Sequence, residues 1–334
     1  MKGLVIGGGS IGKRHLANLK TLGVQHLALV ENDASRRGAV AAELSVSAFP
    51  DVEAGLAWRP DFVVIATPTQ LHLEQCMRVA MEGSHIFVEK PLSHSAAGLS
   101  ELPHLLKDKK LVSMVGCNMR FHPGPARVKH LLTEHAIGRI LFARLHGGWY
   151  LPRWRPSADY RSNYAAREET GGGCILDCIH EIDLARWYLG DVRDVTCMAG
   201  HLSSLEIETE DVASIVCRHV SGAHSEIHLD YVQQTYERGC QIVGERGSIF
   251  WDFTKKEVRW FDGGTGDWNV FSQPEDWELN QMYVDEMRHF LASVKSGHPT
   301  VLPIPEAVEV MRIALAAKIS AREGKFIPTS EALR

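Results

Sequence analysis

Two groups of residues in this 334-residue chain have the types and spacing to do chemistry. The first is Gly7-Gly8-Gly9-Ser10-Ile11-Gly12, a G-x-G-x-x-G run that follows the apolar stretch Lys2 to Ile6 and opens a segment of helical periodicity. In that setting Gly7 permits a tight turn, Gly9 lets the backbone approach a pyrophosphate, and Gly12 lets helix and strand pack closely. The free N–H groups of Ser10, Ile11 and Gly12 at the helix start attract phosphate. Glu31 closes the second apolar run, nineteen residues past Gly12, where a carboxylate accepts hydrogen bonds from both hydroxyls of an adenosine ribose. The pattern favours NAD over NADP, with Arg36 and Arg37 as the residues that would hold a 2'-phosphate instead.

The second group is Lys90 with Asp177 and His180. A lysine just past a strand end can donate to a substrate hydroxyl and stabilise the alkoxide that forms as hydride leaves. An imidazole of near-neutral pKa suits proton removal from a carbinol. A carboxylate three residues earlier on one helix, as Asp177 is read, can fix its tautomer and raise its basicity.

These residues need elements to hold them. Up to about residue 118, short β-branched runs alternate with helix-length segments, the pattern of a parallel sheet covered on both faces. Strands are expected at Lys2 to Ile6, Leu27 to Val30, Val46 to Phe49, Phe62 to Ala66, His85 to Val88 and Leu111 to Cys117. Leu16, Leu19 and Leu22 mark a crossover helix that Gly23 ends. Beyond about residue 120 the alternation stops. Period-two runs around 139–148, 192–201, 211–220, 223–232, 239–250 and 257–261, separated by turns such as Ser221-Gly222 and Gly263-Gly264, predict a mostly antiparallel sheet. Helical periodicity returns at Leu279 to Val294 and Pro305 to Arg322. The expected fold is α/β: an N-terminal Rossmann domain over 1–120, with a doubly wound parallel sheet, and a C-terminal α+β domain over 121–334 with an open-faced sheet. The last helices can pack on either domain.

With these motifs in order, the chain resembles the glucose-fructose oxidoreductase and inositol dehydrogenase family (Gfo/Idh/MocA) over nearly its whole length. Beyond the glycine run, the resemblance is carried by Ala66-Thr67-Pro68-Thr69 with His72, by Glu89-Lys90-Pro91 and by Asn118-Met119-Arg120-Phe121. Gly171-Gly172-Gly173 through His180-Glu181-Ile182-Asp183 and Gly244-Glu245-Arg246-Gly247 extend it. The resemblance implies a Rossmann domain followed by an open-faced sheet domain with the active site between them, a catalytic lysine at Lys90, and no catalytic metal. In the family pattern the aspartate stands four residues before the histidine; here the interval is one residue shorter, which leaves Asp177 and Asp183 as alternative partners of His180. The cofactor-binding set is then Gly7, Gly9, Ser10, Ile11, Gly12, Glu31, Thr67, Pro68, His72, Glu89 and Lys90. The substrate-binding set is Lys90, Arg120, Arg155, Arg161, Asp177 and His180.

Arg155 and Arg161 enter that set because Trp149 to Arg167 interleaves Trp149, Tyr150, Trp154, Tyr160 and Tyr164 with four arginines. That mixture suits an anionic sugar derivative as a ligand, or a subunit contact whose arginines pair with Asp159, Glu168 and Glu169. His224-Ser225-Glu226-Ile227-His228 is in a strand-like run and reads as a polar sheet face, so no metal is expected. Lys+Arg 36 against Asp+Glu 41 gives no basic surplus for nucleic acid. No apolar stretch approaches a membrane span, and the seven cysteines are an odd, scattered set without a C-x-x-C pair, so the expected compartment is the cytoplasm. An exposed apolar sheet face predicts a homodimer or homotetramer. The expected activity is hydride transfer between NAD and a secondary alcohol of a sugar, cyclitol or nucleotide-sugar derivative. Two alternatives use the same cofactor site: an NAD-retaining glycosidase or lyase with transient oxidation, and a non-catalytic NAD-sensing regulator.

Overall fold

The computed structural model describes residues 1–156 and 159–333 and divides into two units, each built on its own sheet. The first unit comprises Met1–Ser93, Ala97–Asn118 and Leu279–Val308. Its elements run β1 (Lys2–Ile6), α1 (Ser10–Thr21), β2 (His26–Val30), α2 (Ala34–Leu44), β3 (Ser47–Phe49), α3 (Val52–Ala57), β4 (Phe62–Ile65), α4 (His72–Met81), β5 (His85–Glu89), α5 (Leu102–Asp108) and β6 (Ser113–Gly116). The strands pair in parallel in the order β3-β2-β1-β4-β5-β6, so the sequence order reverses between β1 and β4. Ligands of such sheets bind beyond the carboxyl ends of the strands at that reversal, where the Gly7–Gly12 run and Thr67 both sit. Leu4, Val5, Val63, Val64, Ile65, Ile86, Phe87 and Val88 are all fully buried. They alternate with nothing because helices cover both faces.

The second unit comprises His94–Ala96, Met119–Glu278 and Glu309–Arg334. It carries α6 (Pro123–Thr133), β7 (Ile140–Gly148), α7 (Cys174–Asp177), α8 (Ile179–Leu189), β8 (Val192–Gly200), β9 (Val212–His219), β10 (His224–Asp230), β11 (Glu237–Gly244), β12 (Gly247–Asp252), β13 (Glu257–Asp262) and β14 (Asp267–Ser272). Helix α9 (Asn280–Ser296) then returns to the first unit, α10 (Ile304–Glu323) starts there and ends in the second, and β15 (Ile327–Pro328) closes the sheet in the order β14-β13-β12-β11-β7-β10-β9-β8-β15. The sheet is antiparallel except for β7 against β10. Alternate residues are buried and exposed along β9 and β10, the signature of a sheet with one packed face. Among the described residues no helix is long and apolar enough to cross a membrane.

Three local expectations change. The run 239–250 is two strands, β11 and β12, because the chain reverses at Glu245-Arg246. Strand β14 was not foreseen: it is a short edge whose Trp268 and Val270 stay exposed, so burial leaves little mark on its sequence. Asp177 and His180 are not on one helix. The turn breaks at Cys178 (φ −90°, ψ 34°), leaving Asp177 as the last residue of α7 and His180 as the second of α8.

Candidate active site

The glycine run performs three separate tasks. Gly7 adopts φ +105°, and a Cβ there would lie 2.5 Å from the Ala66 carbonyl oxygen. A Cβ on Gly12 would lie 1.9 Å from the Gly7 carbonyl oxygen, so α1 can start this close to β1 only with glycine. At Gly9 a Cβ would meet nothing within 4 Å, which leaves the side that a phosphate approaches open. No side chain caps the N-terminus of α1, and the first-turn N–H groups keep their full capacity toward an anion. These features fit a dinucleotide pyrophosphate.

Glu31 follows β2 and is buried against the glycine run. Its Oε2 accepts the Gly8 N–H at 2.9 Å and its Oε1 accepts the Asp33 N–H at 3.0 Å. Oε1 keeps a lone pair for a ribose hydroxyl, and Oε2 gains one when the exposed Arg36 gives way. Arg36 reaches Oε2 at 3.4 Å, while Arg37 donates to the carbonyl oxygens of Glu31 and Asn32, so both arginines are drawn into the β2–α2 loop.

After β4, Thr67 is half-buried and donates its hydroxyl to Gln75 Oε1 at 2.7 Å, and Pro68 is exposed beside it. His72 is buried, with Nδ1 2.8 Å from the Pro91 carbonyl oxygen and Nε2 2.8 Å from that of Thr67. Burial lowers its pKa and the two carbonyl contacts oppose that shift. The imidazole thus ties the Thr67-Pro68 turn to the Lys90-Pro91 turn, and its place is structural support for both. Lys90 itself is half-buried past the end of β5. Glu89 turns its carboxylate onto His15, 2.6 Å away, inside the same unit.

In the second unit two of the three glycines before α7 answer close contacts: a Cβ on Gly172 would meet the carbonyl oxygens of Ala165, Tyr164 and Arg167, and Gly173 makes room for Glu210. Gly173 adopts φ +101°, a Cβ there would lie 2.3 Å from Glu210 Oε1, and that carboxylate accepts the Ile175 N–H at 3.2 Å. Asp177 is buried and accepts from the Tyr164 hydroxyl at 2.9 Å and the Tyr231 hydroxyl at 3.4 Å. His180 is buried in the first turn of α8. Asp183, the alternative partner of His180, is engaged by Arg120 in a two-pronged pair, Nε to Oδ2 at 2.8 Å and Nη2 to Oδ1 at 2.6 Å. Both are buried, and the guanidinium lies 5.1 Å from the centre of the Trp187 ring. Glu181 is likewise buried against Arg238, with Nε and Oε1 2.7 Å apart. Helix α8 therefore presents His180 between two ion pairs that fix its rotation.

The Trp149–Arg167 segment, with 157 and 158 outside the described residues, is loop with three single-turn helices. Trp149 and Trp154 stack at 6.3 Å, and Trp154 packs edge-on against Tyr231 at 5.3 Å, so the aromatic row ends beside Asp177. Arg161 is held by Asp159 at 2.9 Å and Glu206 at 2.7 Å, and Arg155 is exposed. In β10, Glu226 pairs with Arg144 and His228 with Asp230, so the histidine-rich run answers its own charges. No group of three His, Cys, Asp or Glu among the described residues is arranged to hold a metal ion.

Sequence reading missed His15, Tyr231, Arg238 and Glu286. For His15 a signal existed: Gly12, His15, Leu16 and Leu19 form one buried helical stripe, and a histidine on such a stripe needs a partner.

Comparison with known proteins agrees with this geometry. A family model described as the oxidoreductase family, NAD-binding Rossmann fold, matches residues 1–117, and the GFO/IDH/MocA C-terminal domain model matches 126–250. A scyllo-inositol 2-dehydrogenase (NAD(+)) of Bacillus subtilis is 25% identical over 96% of this chain and 94% of its own. A myo-inositol 2-dehydrogenase of Thermotoga maritima is 27% identical over 82% of this chain and 81% of its own. The solved structure of a levoglucosan dehydrogenase in complex with NADH superposes with TM-score 0.89 at 21% identity, covering 98% of this chain and 99% of the other.

Proposed function

The chain belongs to the GFO/IDH/MocA family of oxidoreductases, and on that premise we propose that it is an NAD-dependent dehydrogenase of a secondary alcohol on a cyclitol or sugar. The observation that carries the reading is the pairing of an uncapped, glycine-opened α1 with a lysine past the end of β5 in one Rossmann sheet. When bound, NAD supplies the hydride acceptor. Lys90 donates to the substrate hydroxyl and stabilises its developing alkoxide. His180 takes the hydroxyl proton. Asp177, oriented by Tyr164 and Tyr231, sets the polarity around His180. Glu31 holds the adenosine ribose, while His72 and Glu89 support the loops that carry Thr67, Pro68 and Lys90.

The substrate class we propose is a neutral polyol. Arg161 already answers two carboxylates, while the stacked Trp149 and Trp154 offer apolar ring faces. A panel of cyclitols, neutral sugars, sugar acids and nucleotide sugars, followed by NADH absorbance and by released aglycone, tests both points. Steady NADH formation on a polyol is the expected result. Aglycone release without net NADH would make it a transient-oxidation enzyme, and a sugar acid whose turnover falls in Arg155→Ala and Arg161→Ala would reverse the charge assignment. Loss of the Tyr164 hydroxyl in Tyr164→Phe removes a hydrogen bond to a charged group and should lower kcat about tenfold, with cofactor Kd unmoved. An unchanged kcat would remove Asp177 from the chemistry.

We also propose a homodimer or homotetramer formed through the exposed sheet face, where Met198 is 82% exposed and Val216 36% exposed on neighbouring strands. Light scattering should return a multiple of the 37.2 kDa chain mass, and a monomer at micromolar concentration would refute the proposal. The seven cysteines are free and buried, which supports a reducing compartment and a cytoplasmic enzyme.

A further inference from the structure

Behind Lys90 the first unit holds further ionisable side chains, two of which, His15 and Glu286, have no part in the proposed chemistry. Glu89 at the end of β5 places Oε1 2.6 Å from His15 Nε2 on α1, and its Oε2 accepts the Lys90 backbone N–H at 3.3 Å. His15 is fully buried. So is Glu286 on α9, and among the described residues neither of its carboxyl oxygens has a hydrogen-bond partner. Tyr283, one turn earlier on α9, lies edge-on to His15 at 6.3 Å, and Arg14 from α1 stacks on the Tyr283 ring at 4.5 Å. Burial and then the charge of Glu89 raise the Tyr283 phenol, against the lowering effects of Arg14 and a hydrogen bond with Asn118. For Glu286, burial and then the charge of Glu89 push the carboxyl well above the usual carboxylate range.

Two carboxyls in one dry site do not both ionise, and the charge settles where donors meet it. Glu89 has two donors close by, His15 and the Lys90 N–H; among the described residues Glu286 has none. We propose that His15, Glu89 and Glu286 form a buried proton-sharing set, with the single negative charge on Glu89 and the proton on Glu286, that positions Lys90. The charged Glu89 grips α1 through His15 on one side and the Lys90 backbone on the other. It thereby links the helix that receives the pyrophosphate to the residue that meets the substrate. A second negative charge, on Glu286, would compete with that grip. His15 and Glu286 are positioning residues, acting through Glu89. The positioning half rests on Lys90 as the catalytic lysine; the protonation pattern does not.

The sign of the stability effect follows from the raised Glu286 pKa. The folded chain keeps a proton that the unfolded chain releases near the ordinary value of 4.5, so stability falls as pH rises from there toward the folded value. Glu286→Gln cannot ionise and escapes that fall. Its melting temperature relative to wild type should climb by about 2–4 °C per pH unit from about pH 5 upward, until the folded-state value of Glu286 is passed. Infrared spectra of the wild type at neutral pH should show the carbonyl stretch of a protonated carboxylic acid, absent in Glu286→Gln. Neither readout requires turnover, so both remain decisive even if Lys90 proves uninvolved in catalysis. A pH-independent melting difference, or no protonated-acid band in the wild type, overturns the protonation pattern. For positioning, His15→Gln strips Glu89 of its main donor, and the acid limb of the kcat profile should move up by about one pH unit, with NAD Kd changed less than about threefold. A profile that keeps its shape while only the melting temperature falls assigns His15 to structure alone and overturns that half.

Discussion

Lys90→Ala should lower kcat by about 10³-fold and leave NAD affinity within about threefold of wild type. The lysine stands past the end of β5, in the same sheet as β1, whose end opens onto the glycine run. Its ammonium acts on charge that develops at the substrate oxygen, so the loss falls on the reaction and not on cofactor binding. Its backbone is held separately, by Glu89 and by the His72 contact to Pro91, so truncation of the side chain keeps the turn in place. His180→Ala should cost about 10²- to 10³-fold by the same logic, through loss of the proton acceptor. Helix α8 keeps its position through Arg120–Asp183 and Glu181–Arg238, and the melting temperature should move little. Single-turnover kinetics with the best substrate of the panel, beside calorimetry with NAD, separates the two quantities. A mutant with near wild-type kcat loses its assigned role.

Much of this could be read from residue order because its physics is local. The glycine run, the strand before it and Glu31 after the next strand are close in sequence, and each glycine is demanded by a contact with its own turn, as the Gly12 approach to Gly7 shows. The Rossmann strands were legible because burial on both faces makes them continuous apolar runs. What stayed hidden is long-range. Arg120 finds Asp183 sixty-three positions away, and His15 finds Glu89 seventy-four positions away. Nothing in the spacing of either pair reveals the partner. The placement of Asp177 and His180 on one helix failed for a different reason: a break of one residue, at Cys178, redirects two short helices without any proline or glycine to announce it. The arginines of the 149–167 segment looked equally ready for a ligand or for carboxylates, and only the folded loop brings Glu206 to Arg161.

NAD should bind about 10²- to 10³-fold more tightly than NADP, and Glu31→Ala should remove most of that difference. The carboxylate is buried and fixed by the Gly8 and Asp33 N–H groups, so it cannot swing away from a 2'-phosphate placed against it. Like charges brought together in a partly dry site cost several kcal/mol, which sets the size of the expected preference. A ribose with free hydroxyls instead donates to the remaining lone pairs, a charge-assisted contact about twice as strong as a neutral one. Arg36 can soften the repulsion, since its side chain is 55% exposed and only 3.4 Å from Glu31 Oε2. Arg37 is committed to the Glu31 and Asn32 carbonyl oxygens and keeps the loop closed. In Glu31→Ala the Arg36 guanidinium loses its counter-charge and becomes available to phosphate, so NADP affinity should rise while NAD affinity falls. The double variant Glu31→Ala with Arg36→Ala should lose the rise and keep the fall. Calorimetric titration of the three proteins with both cofactors decides it: equal affinities for NAD and NADP in the wild type would mean that Arg36, and not Glu31, governs the pocket.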